Sequence, residues 1–66
     1  MNEAEIWRIA NDMIHDYGAD AEGYARSRAE TLRKENIPDD ALLWDSIAAA
    51  IAELGRKGPG SDDPVN

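Results

Sequence analysis

Eleven of the 28 apolar residues in this 66-residue chain are alanines, and cysteine is absent. Alanine has the strongest intrinsic preference for a helix because it loses no side-chain freedom there, but it brings little surface to a core. Without alanine, Met1 and Val65, fifteen large apolar side chains remain. At about 1.5–3 kcal/mol per fully buried side chain they supply a few tens of kcal/mol. Conformational entropy opposes folding by a comparable amount. Small domains in this position use a disulfide, a metal or self-association as a staple. With no cysteine and one histidine, self-association is the device left to this chain.

The pattern along the chain is helical. Asn2 and Glu5 have the spacing of a capping box, in which the Asn oxygen accepts the Glu5 amide. Ile6, Ile9, Ala10, Met13, Ile14 and Tyr17 then recur at three- and four-residue intervals, with Trp7 widening the stripe, up to Gly18. A second stripe of Ala21, Tyr24, Ala25, Ala29 and Leu32, with the stem of Arg28, follows Asp20 as a possible N-cap. Pairs Glu22–Arg26, Arg26–Glu30 and Glu30–Lys34 support its wet side. Asn36-Ile37-Pro38-Asp39-Asp40 interrupts the period, with Asp39 or Asp40 expected to cap the next helix. In that helix Leu43, Trp44, Ile47, Ala48, Ala50, Ile51 and Leu54 form the inward face, and Gly55 or Gly58 ends it.

These readings predict an all-α fold, a small three-helix bundle over residues 2–57, with helices at about 3–17, 20–35 and 39–56. The third helix is expected to pack antiparallel to its neighbour. Residues 58–66, GPGSDDPVN, read as a flexible acidic tail, since they hold too little apolar surface to order themselves.

Charge and composition narrow the function classes. A net charge of −7 and a pI near 4.4 oppose nonspecific binding to phosphate backbones or anionic membranes. They favour a partner with a basic surface. Four of the seven bases (Arg26, Arg28, Arg33, Lys34) fall on the second helix, but Glu22, Glu30 and Glu35 interleave with them, so a DNA-binding role is the weakest of the readings. The longest apolar run, Ile47–Ala52, is far short of the roughly 20 residues of a membrane span. The start, MNEAEIW, lacks the basic region and apolar run of a signal peptide. Together with the missing cysteine, this predicts a soluble, cytoplasmic chain.

No constellation of catalytic chemistry is legible. His15 has Asp12, Asp16 and Asp20 near it in sequence, but a structural metal site wants converging His and Cys ligands, and the position falls on the polar face. The serines Ser27, Ser46 and Ser61 sit in no nucleophile elbow, and no glycine loop suits a phosphate. The chain is therefore read as no enzyme, with no catalytic, metal or cofactor residues.

The candidate interaction residues are Trp7, Trp44, Ala49 and Ala52. Each tryptophan lies at the edge of its stripe and either completes the core or anchors a partner. Ala49 and Ala52 lie off the inward face, where bland helix propensity competes with close approach by another helix.

Read in order, EIWRIANDMIHDYGADA, ARSRAETL and LLWDSIAAAIAEL carry a resemblance over residues 5–54. The chain resembles the short uncharacterised helical proteins encoded in many alphaproteobacterial genomes. Those run E-I-W-x-x-A, an apolar helix ending in x-G-x-x-A, then A-x-x-R-A-x-x-L and W-x-x-I-x-x-A-I-x-x-L. The spacing of Trp44, Ile47, Ala50, Ile51 and Leu54 is the most specific element. This chain departs from them at Asn36–Asp40, where they have a shorter Gly-Asp turn. The resemblance implies a bacterial cytoplasmic protein, and brings no activity or cofactor.

The function expected from the sequence is a small acidic protein–protein interaction module, an adaptor or regulator that self-associates, as a homodimer in the simplest case. The alternative is an acidic mimic or inhibitor occupying a basic, nucleic-acid-binding surface of another protein.

Overall fold

A computed structural model describes residues 2–56. The tail expected at 58–66 lies outside them. Three helices, α1 (Glu3–Tyr17), α2 (Ala21–Lys34) and α3 (Pro38–Arg56), make an all-α three-helix bundle, with a single 3-10 turn at Gly18–Asp20 between the first two.

The helix ends follow from local chemistry. The Glu5 amide donates to Asn2 Oδ1 at 2.9 Å, which satisfies one of the amides left free at the start of α1. Asp20 precedes α2, but its side chain makes no cap bond, because the 3-10 turn already holds its backbone in helical geometry. At the far end of α2, Asn36 takes the left-handed conformation (φ 63°). Its amide donates to Arg33 O at 3.1 Å and the Ile37 amide to Leu32 O at 2.9 Å, the two bonds of a Schellman motif. The helix α3 then starts at Pro38, one residue before the expected 39. Ile37 supplies the first carbonyl, accepting from Ala41 N at 3.1 Å. Asp39 and Asp40 thus sit in the first turn, where the positive end of the helix dipole favours them, and not at the cap. Gly55 does not end α3 and lies inside it.

Gly18 closes α1 with its amide on Ile14 O, at φ 59° and ψ −128°. That is close to the mirror image of the second residue of a type II turn, a region in which a Cβ is strongly disfavoured. A Cβ built there meets nothing within 4 Å, so backbone strain alone decides the outcome. Gly18→Ala is expected to destabilise by about 1–3 kcal/mol. A thermal melt unchanged within error would show that the turn relaxes freely.

The bundle is organised around α3, against which both α2 and α1 pack, while α1 and α2 touch each other much less. One buried cluster joins Ala10 and Met13 of α1, Ala21 and Ala25 of α2, and Ile47, Ala48, Ala50 and Ile51 of α3. Ala29, Leu32 and Ala41 are buried as well. Seven of the eleven buried residues are alanines, so the interior is made largely of backbone brought close to backbone. Large side chains such as Ile6, Ile9, Ile14, Leu43 and Leu54 pack around this centre and remain half-buried.

That arrangement corrects part of the sequence reading. Tyr24 and Arg28, placed on the inward face of α2, are exposed, and so is Tyr17 at the end of the α1 stripe. Ala21, Ala25 and Ala29 are completely buried. These small residues fill the contact with α3, and Tyr24 stands at its rim, with its ring against Trp44. Of the three ion pairs expected along α2, Glu22–Arg26 closes at 2.7 Å. A further pair, Arg33–Asp45 at 2.9 Å, clasps α2 to α3. Both of its side chains are about half exposed, which limits its worth to a few tenths of a kcal/mol.

Candidate functional site

The four candidate interaction residues fall at three separate places. Trp7 and Ala49 meet at one open groove of about 500 Å³ between α1 and α3. Ile6 and Trp7 form its α1 side, Ser46, Ala49 and Ala50 its α3 side, and the carboxylates of Glu3 and Glu53 line it too. Ala52 belongs to a second groove of about 610 Å³, beside Ile14, Gly18, Ala19 and Gly55, with Glu22 and Arg56 supplying its charges. Trp44 stands at a third place.

Local folding explains these placements. Trp7 follows Ile6 on α1 and so turns toward the flank of the inward stripe, where it is half-buried. Ala49 lies one position before the buried Ala50, a step of about 100° around α3, and is exposed. A large indole next to a bare alanine leaves the space that forms the groove. Trp44 is also half-buried. Its ring meets Tyr24 edge-on with centroids 6.3 Å apart. Tyr24 in turn stacks on Tyr17 at 4.9 Å and 13°. Both tyrosines are 46% exposed, so this ladder of three rings covers the seam where α1 passes into α2 and keeps a wet outer edge.

Both tryptophans are half-buried. Each contributes part of its surface to the core and leaves part uncovered. Trp44 packs across to α2, as expected of a ring completing the core, whereas Trp7 stands between α1 and α3.

Sequence reasoning missed Leu42. It is the most exposed of the large apolar side chains, at 63%, followed by the tyrosines and Ile37. Its signal was present in the spacing. Leu42, Ser46, Ala49 and Glu53 follow each other at four, three and four residues, a second helical stripe on the side of α3 away from its core.

The His15 side chain is 90% exposed, and its nearest charged partner is Asp16, with Nδ1 3.7 Å from the carboxylate. Among the described residues, no three His, Cys, Asp or Glu come together in a group able to hold a metal ion. No helix among them is long and apolar enough to cross a membrane.

No family model, curated protein or solved structure matches this chain. The resemblance to short alphaproteobacterial proteins rests on the motifs alone.

Proposed function

We propose that the chain is a small acidic protein–protein interaction module, an adaptor or regulator without catalytic chemistry of its own. The observation that carries this reading is the open α1–α3 groove, where Ile6 and Trp7 are only half-buried and Ala49 is exposed; Leu42, exposed on the same helix as Ala49, adds apolar surface outside it. A domain with few large apolar side chains gains stability from each one it buries. A cytoplasmic setting belongs to this reading.

Self-association is the simplest form of such contact. Sedimentation of the full chain at micromolar concentration tests it, together with cross-linking and affinity capture from native lysate. A stable homo-oligomer, or a captured partner weakened by Leu42→Asp, is the expected result. A strict monomer that captures nothing would sink the module reading.

The net charge of −7 favours a second reading, in which the chain occupies a basic surface of another protein in place of nucleic acid. Capture would then be lost on adding salt or a competing polyanion while Leu42→Asp left it intact. Contact through the apolar face gives the opposite pattern.

A further inference from the structure

One residue sets the bend between α1 and α2. Tyr17 before it and Asp20 and Ala21 after it all hold right-handed helical backbone, and Ala19 lies within the 3-10 turn. Gly18 is the residue that departs, at φ 59° and ψ −128°. Its amide nevertheless donates to Ile14 O, the bond it would make inside a helix. Rotation of Gly18 into helical geometry therefore joins α1 and α2 into a single helix from Glu3 to Lys34.

The inward stripe stays in register across that join. Ala10, Met13, Tyr17, Ala21, Ala25 and Ala29 follow one another at steps of three or four, so an unbroken helix keeps them on one side. All but Tyr17 are buried in the bent chain. Two contacts oppose the straightening. First, α1 packs mainly on α3, with Ala10 and Met13 in one cluster with Ile47 and Ile51. Second, Tyr17 and Tyr24 stack across the bend with centroids 4.9 Å apart. Seven residues along one helix would separate them by about 10.5 Å, so the stack exists only in the bent form.

We propose that Gly18 is a hinge through which two copies of the chain exchange α1, each α1 seating on the α3 of the other copy. This exchange is the self-associating form of the proposed module and rests on that reading. The occupant follows from identity. The face of α3 that receives the exchanged helix is the one α1 already covers, and a second copy brings the same Ala10 and Met13 to the same Ile47 and Ile51. The first loss on straightening is thus made good in the dimer, while the tyrosine stack is a latch on the closed monomer. Glycine at position 18 also favours the closed form, because it takes positive φ without strain and is a poor helix residue. In the parent chain the exchanged dimer is accordingly the form of high concentration.

Sedimentation of the full-length parent and of Gly18→Ala over a concentration series tests the exchange. Nitroxide labels on Arg8→Cys and Glu30→Cys, both exposed positions, report the bend by pulsed electron resonance in chains diluted with unlabelled protein. Alanine opposes the positive φ and favours the helix at each of two hinges. The dimer dissociation constant is therefore expected to fall at least about a hundredfold, roughly tenfold for each hinge. The labelled positions then lie about 33 Å apart along an unbroken helix, and any bend at Gly18 brings them closer. Leu42→Asp, outside the buried cluster, is expected to leave the dimer intact. Should Gly18→Ala fail to fold, Tyr17→Ala decides. It removes the stack at an exposed position and is expected to lower the constant at least about threefold. A folded but monomeric Gly18→Ala, a dimer that keeps the short label distance, or a dimer that Leu42→Asp dissolves overturns the hinge. So does an unshifted Tyr17→Ala where Gly18→Ala does not fold. Each of these leaves the module reading standing, which falls only if the parent chain is also a strict monomer that captures no partner.

Discussion

Ile47→Ala is expected to cost about 2–5 kcal/mol, the range for truncating a large buried side chain where neighbours collapse only partly into the space. Ile47 is the one large side chain buried to 1% exposure, and its neighbours in the cluster include Ala10, Ala21, Ala25, Ala48 and Ala50. Alanines have no rotamers with which to reach into a cavity, so side-chain relaxation is left to Met13, Ile51 and the half-buried residues around the cluster. A domain of this size has a total stability of only about 3–8 kcal/mol, from roughly 0.05–0.15 kcal/mol per residue. The variant is therefore expected to lose most of its cooperative transition, since each kcal/mol shifts the melting temperature of so small a domain by about 4–8 °C. Thermal melting followed by far-ultraviolet circular dichroism measures it. Leu42→Ala, the same kind of truncation at an exposed site, should stay within about 0.5 kcal/mol. If the two variants melted alike, Ile47 would not be the centre of the fold.

The opposite change tests the alanine interface. Ala25→Leu adds three carbons where α2 packs against α3, at a position that is fully buried. Overpacking costs typically about 1–3 kcal/mol, and more where the surroundings cannot shift. Here the upper part of that range is expected, because Ala21 and Ala29, one turn either way, are equally buried and leave the added carbons no open side. Urea unfolding gives the value, with Ala49→Leu as the control. The same substitution on the exposed side of α3 should be within about 0.5 kcal/mol of the parent. A stabilised Ala25→Leu would mean that the helices do not pack at alanine distance.

Both predictions turn on which alanines face inward, and this is where sequence and structure divide. The extent of each helix was legible, because caps and breakers act over a few residues. Asn2 and Gly18 bound α1 through bonds to residues three or four positions away. Pro38 opens α3 for the same kind of reason; the cap roles given to Asp20 and to Asp39 or Asp40, and the stop given to Gly55, were misjudged. The left-handed Asn36 was available too, since asparagine tolerates that conformation better than other residues with a side chain.

The candidate site was legible in part. Trp7 and Ala49 stood out from their stripes, but no spacing in the sequence says that they share a groove, since they are 42 positions apart and belong to different helices. Trp44 and Ala52, singled out on the same grounds, lie at two other places on the surface. Tyr24 was misplaced because periodicity gives a direction around one helix and not the distance to the next.

By itself, then, the sequence determined three helices, their ends, and an interior short of large side chains, all from interactions between residues close along the chain. Only the tertiary structure decided that α3 lies between the other two and that alanines occupy the centre. It also decided that the larger residues are pushed to the edges, with Leu42 outside. Packing distance is a property of two surfaces at once. Ala21, Ala25 and Ala48 are fully buried where the helices meet, and the bulky rings are left at the seams, with Tyr24 46% exposed.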